Sequence, residues 1–280
     1  MTLTWPVVAA VLFGALLHAS WNALVKSSSD KAMDTAVLQL MGSVIAIPLV
    51  LVAGIPDRAA WPFIAASLVV HIAYYITLSG AYKHGDLGLT YPLMRGSAPL
   101  LVALSATVTL GETLTPLAWL GVLGVSAGVL TLGLGQQAFN APKAVMFALF
   151  NAVIIAVYTV VDALGVRAGG NAMQYVATLF LLDGWPFALI VFARRRGAML
   201  PYARRRWPIA LVGALASMGS YAIALWAMTK APVATVAALR ETSVLFAALL
   251  GVWFLKEVFT TRRLIGTCAI VGGVMALRLG

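Results

Sequence analysis

Two arginines lie within long apolar segments of this chain, where an ionised group is costly and is seldom kept without a use. Arg95 lies in the segment 87–110 and Arg240 in the segment 233–254. A shift of the sequence on itself by 145 residues superimposes the first arginine on the second. Because a guanidinium group grips a carboxylate or a phosphate through paired hydrogen bonds, Arg95 and Arg240 predict a site for a small solute with an acidic group.

The same two charges have a structural alternative. Arg95 would then pair with a carboxylate such as Asp183, and Arg240 with Glu241 or another neighbour. Ion pairs of this kind would lock the helices together and would leave no cation for a solute. The sequence keeps both interpretations open.

Two prolines, Pro92 and Pro99, flank Arg95 within its segment. An interior proline bends a helix and frees backbone carbonyl groups. This segment is therefore a candidate for a broken helix that supplies both solute ligands and a hinge. The alternative is an ordinary kinked membrane helix.

Several polar and aromatic side chains recur at the four-residue spacing that places them on one face of a helix. If they converge on one cavity, they offer rings and hydrogen-bond donors to a solute. The alternative is that they join neighbouring helices or anchor the chain at the membrane surface. The candidate ligands besides the arginines are His18, Trp21, Asn22, Tyr75, Tyr91, Asn151 and Tyr158.

Three further ionisable residues are candidates for proton coupling: His71, Asp183 and Glu241. Histidine changes its charge near neutral pH, and carboxylates form proton relays in transporters. The alternative is that all three are structural polar groups whose bonds are satisfied. The sequence has no Walker loop, no paired His or Cys at metal-ligand spacing and no nucleophile beside a base. We therefore expect no enzyme, no metal and no cofactor, with a proton or a counter-solute as the candidate coupling partner.

The composition requires that these residues be held by membrane helices. Of 280 residues, 62% are hydrophobic and 10% are charged, whereas soluble domains carry roughly 25% charged residues. At about 20 apolar residues per span, the chain accommodates about ten helices. We predict an all-α membrane protein with spans at 6–25, 34–53, 61–82, 87–110, 114–132, 143–164, 173–192, 208–228, 233–254 and 261–279.

The basic residues predict the orientation. Of 19 Lys and Arg residues, 13 lie in one set of alternate loops and 4 in the other, and the crowded set faces the cytoplasm. Both termini then lie on the non-cytoplasmic side of a membrane, which we expect to be a bacterial inner membrane. The Arg-rich loop 193–207 would contact anionic lipid. This distribution favours membrane orientation over binding to nucleic acid.

An internal repeat covers the two halves of the chain. The 145-residue shift also superimposes Thr90 on Thr235, Glu112 on Glu257, Gly121 on Gly266 and Gly128 on Gly273. The unit is five predicted helices, so we expect one repeat in 1–138 and one in 139–280. Because five is odd, the second repeat crosses the membrane in the opposite sense. Inverted repeats are typical of transporters, with the solute site between the halves; the alternative is a duplicated scaffold.

The repeated segments carry a resemblance to a known family. In the first half, Gly111-Glu112-Thr113-Leu114-Thr115 leads to a glycine-rich helix, and in the second half Lys256-Glu257-Val258-Phe259-Thr260 does the same. This pattern resembles the signature that ends each half of the drug/metabolite transporter superfamily, EamA branch. The resemblance implies ten helices in two inverted five-helix repeats around a central cavity, and in most members an exporter of amino acids or other metabolites.

The resemblance and the two arginines together predict a secondary exporter of a small metabolite with an acidic group, with amino acids as the leading class. One alternative is efflux of organic cations, with Asp183 and Glu241 as the binding carboxylates. A second alternative is a membrane enzyme or scaffold. The step from Gly124 to Gly128 is a close-packing motif that we expect to join helices within one chain, which is consistent with a monomer.

Overall fold

The computed structural model describes residues 3–26, 28, 30–85, 87–133, 141–255 and 260–280. Apart from two short 3-10 turns, Arg58–Ala60 and Arg196–Ala198, the regular elements in these ranges are α-helices. The helices are α1 Trp5–Lys26, α2 Lys31–Ala53, α3 Trp61–His84, α4 Leu87–Thr109, α5 Pro116–Gly133, α6 Pro142–Gly169, α7 Ala172–Arg195, α8 Met199–Met228, α9 Val233–Arg240, α10 Ser243–Leu255 and α11 Thr261–Leu279.

Six of the described helices are long and apolar enough to cross a membrane, namely α1, α2, α3, α6, α7 and α8. Each supplies the 20 or so residues that span a hydrocarbon layer of about 30 Å. Local chemistry sets where some of them start and stop. The carboxylate of Asp30 accepts the N–H of Met33 and caps α2, and Gly170 ends α6 with a left-handed φ of 70°. The chain is an integral, multi-pass, all-α membrane protein.

The ninth predicted span, 233–254, is not one helix. The α-helical hydrogen-bond pattern is interrupted by a turn at Glu241 and Thr242, between α9 and α10, although Glu241 keeps right-handed helical backbone angles. The amides of both residues bond three residues back, to Ala238 and Leu239, instead of four, and the hydroxyl of Thr242 also bonds the carbonyl of Leu239. A run of polar residues that bond their own backbone competes with the α-helix. By contrast, α4 is one continuous helix, although its two prolines had made it the candidate for a broken helix.

The predicted Arg-rich loop 193–207 is largely helical. Helix α7 continues to Arg195, and α8 begins at Met199, nine residues before the start predicted at 208. Ala and Arg are strong helix formers, and Pro201 lies in the first turn, where proline is tolerated. Arg194 and Arg195 therefore lie in the last turn of α7, and Arg204, Arg205 and Arg206 lie near the start of α8.

The two halves of the chain pack on each other reciprocally. Helix α1 packs on α8, and α3 packs on α6. Helix α2 packs along α7, α5 along α11, and α4 meets α9. Each helix of the first half thus contacts a helix of the second half, and the interface between the halves runs through the centre of the bundle.

Helices α5 and α11 meet through small residues. A Cβ atom added to Gly273 would lie 2.7 Å from the amide nitrogen of Val125 and 2.8 Å from the carbonyl oxygen of Gly121. Both distances are below any real van der Waals contact, so the two backbones touch directly. Gly124 takes part in the same contact, within one chain, as close helix packing through small residues requires.

We therefore expect Gly273→Val to destabilise the protein, because α5 and α11 must separate to admit the side chain. Overpacking of this kind costs about 1–3 kcal/mol or more. Gly272→Val is the matched control, since a Cβ atom at Gly272 would meet nothing within 4 Å. Thermal unfolding of both variants in detergent measures the difference. Equal midpoints for the two variants would contradict the close contact.

Candidate functional site

Arg95 and Glu241 form a buried ion pair in the interior of the bundle. Arg95 lies in the middle of α4, and Glu241 lies at the break between α9 and α10. The guanidinium Nε is 2.8 Å from Oε2 of the carboxylate, and the two side chains are only 8% and 5% exposed. The Nη2 atom of Arg95 is buried without a hydrogen-bond partner among the described residues. One edge of this arginine is therefore available to a further acceptor.

The pairing differs from the structural alternative considered for the sequence. Arg95 pairs with Glu241 and not with Asp183, and Glu241 pairs with Arg95 and not with its neighbour Arg240. The reason is the break in the helix, which turns Glu241 toward α4 while Arg240 ends α9. The ion pair thus joins the first half of the chain to the second.

A small cavity opens beside this ion pair, between α4, α6 and α9. Arg95, Arg240 and Glu241 line it together with Tyr158 and Thr159 of α6. Its free volume is about 10 Å³, which is space for about one water molecule. Both arginines singled out in the sequence therefore lie at one cavity, and this conformation holds it nearly closed.

Arg240 lacks a carboxylate partner among the described residues. No ion pair to Arg240 forms among the described residues. Its guanidinium carbon instead lies 5.4 Å from the centroid of the Tyr221 ring on α8, which is a cation–π distance. With Arg95 and Glu241 neutralising each other, the charged groups that line the cavity sum to one positive charge. A monovalent acid would neutralise it.

A fully buried carboxylate, that of Asp162, binds two tyrosine hydroxyls near Arg240. Asp162 of α6 accepts hydrogen bonds from the hydroxyls of Tyr175, at 2.8 Å, and Tyr221. Tyr221 is the ring under Arg240, so Asp162 fixes the position of the ring that holds the cation. From the sequence, Asp162 is one of the ionisable residues within the predicted spans and shares a helix face with Asn151 and Tyr158. Tyr221 was not predicted, because it is on a helix with no other candidate.

Two of the three candidates for proton coupling meet beside the cavity. The Nδ1 atom of His71 on α3 lies 3.8 Å from Oδ1 of Asp183 on α7. The imidazole ring of His71 lies 4.9 Å from the ring of Tyr158, which lines the cavity. The third candidate, Glu241, lines the cavity itself. Glu241 therefore contacts Arg95 directly, whereas His71 and Asp183 are connected to the cavity through the ring of Tyr158.

The remaining candidate ligands do not line the cavity. Within α1, the indole of Trp21 donates to His18 at 3.3 Å, and the amide of Asn22 donates to the carbonyl of His18. On the neighbouring helices, Tyr75 stacks on Phe187 and bonds Gln39, and Asn151 bonds Thr77 and the carbonyl of Tyr74. Tyr91 packs among the apolar residues near Arg95. Tyr75 and Asn151 thus bond residues of neighbouring helices, which is the alternative that the sequence left open for them.

Both ends of the described chain lie on one face of the bundle, here called the terminal face. The guanidinium of Arg278 lies over the ring of Trp5, and the hydroxyl of Thr115 bonds the carbonyl of Gly280. The segment that follows α4 therefore reaches the same face as the start of α1 and the end of α11.

Glu112 bridges the two halves on the terminal face. One carboxylate oxygen accepts from Arg167 at 2.7 Å, and the other accepts the N–H of Val233, the first residue of α9, at 2.8 Å. Arg167 also donates to the carbonyl of Met228 at the end of α8. This residue of the repeated motif thus ties α6, α8 and α9 to the end of α4. Its counterpart Glu257 lies outside the described residues.

The opposite face has its own ion pairs. Both carboxylate oxygens of Asp34, in the first turn of α2, accept from Arg206, and one also accepts from Tyr202. Asp30 pairs with Arg195 at 3.4 Å. Arg206 is therefore engaged within the protein, whereas Arg204 and Arg205 are exposed.

Comparisons with known proteins agree with this architecture. A model of the EamA-like transporter family matches residues 142–279. A solved crystal structure superimposes with a TM-score of 0.76 at 19% sequence identity, covering 98% of this chain and 95% of that one. A search of curated proteins finds no match. The fold of the whole chain is therefore shared with a known structure, and the family match lies in the second half.

Proposed function

We propose that this chain, a transporter of the drug/metabolite type that belongs to the EamA-like transporter family through residues 142–279, is a secondary exporter of a small metabolite with an acidic group. One observation carries the proposal: two arginines from the two halves line one small cavity. One of them has no ion pair among the described residues, and the other has a buried nitrogen without a partner. An acidic solute would supply an anion to Arg240 and a hydrogen-bond acceptor to Arg95.

The reciprocal packing of the halves supports a mechanism of alternating access. Helix α1 packs on α8 as α6 packs on α3, which is the exchange that two inverted five-helix repeats produce. The cavity lies between the halves and has space for about one water molecule. A solute therefore enters only after one half moves relative to the other. The break between α9 and α10 is the hinge that we assign to this motion.

The lining residues favour a small amino acid or a related carboxylate over a large or purely apolar solute. The arginines bind the acidic group, while Tyr158 presents a hydroxyl to a second polar group. The hydroxyl of Thr159 already donates to the carbonyl of Ile155, so its oxygen is available only as an acceptor. His71 and Asp183 adjoin Tyr158 and are the candidates for coupling to protons. In the cell the chain would lie in a bacterial inner membrane with the terminal face outside, and Arg204 and Arg205 would meet anionic lipid.

The alternative of organic-cation efflux requires a carboxylate that is free to meet the cation. Glu241 is paired with Arg95, Asp183 adjoins His71, and Asp162 accepts two tyrosine hydroxyls. The cavity itself carries an excess of positive charge. The geometry therefore favours the acidic solute.

The test is a stabilisation screen of the purified protein against amino acids, carboxylates, organophosphates and organic cations, repeated with Arg240→Gln. We expect stabilisation by at least one acidic solute, and its loss in the variant, because bound ligand raises the unfolding midpoint by mass action. Arg240 carries no ion pair among the described residues, so its removal leaves the fold intact. Arg278→Gln, which also removes a cation from an aromatic ring, is the matched control and keeps the effect.

Stabilisation by cations alone, unchanged in Arg240→Gln, would overturn the acidic solute. Uptake of the stabilising solute into proteoliposomes then separates a transporter from a scaffold, because a scaffold binds without moving anything across the bilayer. The same Arg278→Gln control sets the rate against which Arg240→Gln is compared.

A further inference from the structure

Glu241 occupies the position at which an acidic solute would meet Arg95. It extends from the break in the second half to the middle of α4 in the first half, and it lies in the wall of the cavity. It is 95% buried with its oxygen 2.8 Å from the guanidinium. A carboxylate of the chain itself therefore fills the place in which the proposed function puts the carboxylate of the solute.

The contact is incomplete in the way expected of a group that must be displaced. A carboxylate that binds arginine most strongly does so through two parallel hydrogen bonds. Here Nε lies 2.8 Å from Oε2 without the geometry of a hydrogen bond, and Nη2 has no hydrogen-bond partner among the described residues. A solute that accepts hydrogen bonds from two nitrogens of Arg95 would therefore bind this arginine more strongly than Glu241 does.

The position of Glu241 also allows it to move. It lies in the turn between two helices, where its amide bonds only three residues back and the regular α-helical hydrogen-bond pattern is interrupted. A second guanidinium, that of Arg240, lines the same cavity. When a solute takes Arg95, the carboxylate of Glu241 can turn toward Arg240 without leaving the cavity.

We propose that Glu241 is an internal stand-in for the acidic group of the solute, neutralising Arg95 while the carrier is empty and giving way when the acid binds. This inference rests on the proposed function and adds a role for the ion pair. Arg95 is then never buried without an anion. The empty carrier and the loaded carrier both close over a neutralised arginine.

Acetate, the simplest stable carboxylate, tests the proposal without knowledge of the natural solute. Glu241→Ala removes the internal carboxylate and leaves space beside Arg95. We expect its thermal midpoint to fall by roughly 10 °C and sodium acetate to restore at least half of that loss, whereas sodium chloride at equal ionic strength restores little. The wild type should gain less stability from acetate than Glu241→Ala does, because acetate must first displace Glu241 from Arg95.

Two control variants show whether the restoration of stability by acetate is specific to the position beside Arg95. Asp162→Ala also deletes a buried carboxylate, but its partners are tyrosine hydroxyls, so acetate should not restore its stability. The double variant of Arg95→Gln with Glu241→Ala has neither member of the pair, and acetate should leave it unchanged. Equal rescue of Asp162→Ala, or of the double variant, would overturn the proposal.

The outcomes also separate this inference from the proposed function. If acidic solutes bind the wild type through Arg240 but acetate does not rescue Glu241→Ala, the stand-in is wrong and the proposed function survives. If acetate rescues Glu241→Ala while only cations bind the wild type, the proposed function is wrong and the carboxylate place at Arg95 survives. If Glu241→Ala yields no folded protein even in acetate while the double variant folds, acetate has failed to fill the place and the stand-in is wrong.

Discussion

Replacement of Arg95 by glutamine will destabilise the protein by up to about 3–5 kcal/mol, because it removes the cation that Glu241 contacts, and a turn of Glu241 toward Arg240 in the same cavity would recover part of this loss. The pair is 2.8 Å apart and almost completely shielded from solvent. Removal of both charges, in the double variant of Arg95→Gln with Glu241→Gln, should recover most of this loss. The reason is that a neutral pair of similar shape has no desolvated ion to compensate. Thermal unfolding of the two single variants and the double variant completes the cycle.

Solute binding should behave differently from stability in the same cycle. The double variant folds but has lost the Arg95 ligand, so the acidic solute that stabilises the wild type should no longer stabilise it. Recovery of both properties in the double variant would show that Arg95 does not touch the solute. Loss of both would show that the ion pair has a larger structural role than its geometry indicates.

The sequence predicted the helices of this fold because burial in a membrane leaves a strong signal along the chain. Nine of the ten predicted spans correspond to single helices, and the resemblance to the EamA family is confirmed by the family match. The errors fall where hydropathy carries little information. Arg204 and Arg205 are polar yet helical, since arginine and alanine are strong helix formers and Pro201 lies in the first turn of α8, where proline is tolerated.

The break near Arg240 was the harder feature to predict. Proline is the familiar signal of a broken membrane helix, and it pointed to α4, where Pro92 and Pro99 are accommodated in one continuous helix. The actual break lies at Glu241 and Thr242, in a segment without proline. Its cause is the competition of side-chain and 3-10 hydrogen bonds with the α-helical ladder, which hydrophobic periodicity does not report.

The candidate site shows the same limit. Buried charge identified Arg95 and Arg240 from the sequence, and both lie at the cavity. Helical spacing was less informative for the other candidates, because it shows which residues share a face but not which neighbour that face meets. His18 and Asn22 share a face of α1 and form bonds within that helix. The support of Arg240 by Tyr221 depends on the packing of α8, which no local pattern encodes.

The charge balance of the cavity predicts a second large effect, on the rate of net solute efflux, in the variant Glu241→Gln. In the wild type Glu241 neutralises Arg95, so the empty carrier can close around a cavity with space for about one water molecule. In the variant Arg95 and Arg240 are both uncompensated when the carrier is empty. Burying an unpaired ion costs several kcal/mol, and about 3 kcal/mol in a barrier slows a step by roughly 100-fold.

The variant should therefore exchange solute but not export it. With an acidic solute on both sides of the bilayer, each passage carries an anion that neutralises Arg95, and exchange should continue at a rate close to that of the wild type. With solute on one side only, the carrier must return empty, and net efflux should fall by roughly 100-fold. Proteoliposomes loaded with the labelled solute that stabilises the wild type measure both rates.

A control on the terminal face distinguishes this effect from a general loss of mobility. Glu112→Gln removes a carboxylate that bridges Arg167 and the start of α9 but does not line the cavity. It should alter exchange and net efflux by the same factor, because it leaves the charge balance at Arg95 unchanged. If Glu241→Gln likewise reduced both rates equally, neutralisation of the empty carrier would not be what Glu241 contributes, and its role would be confined to holding the two halves together.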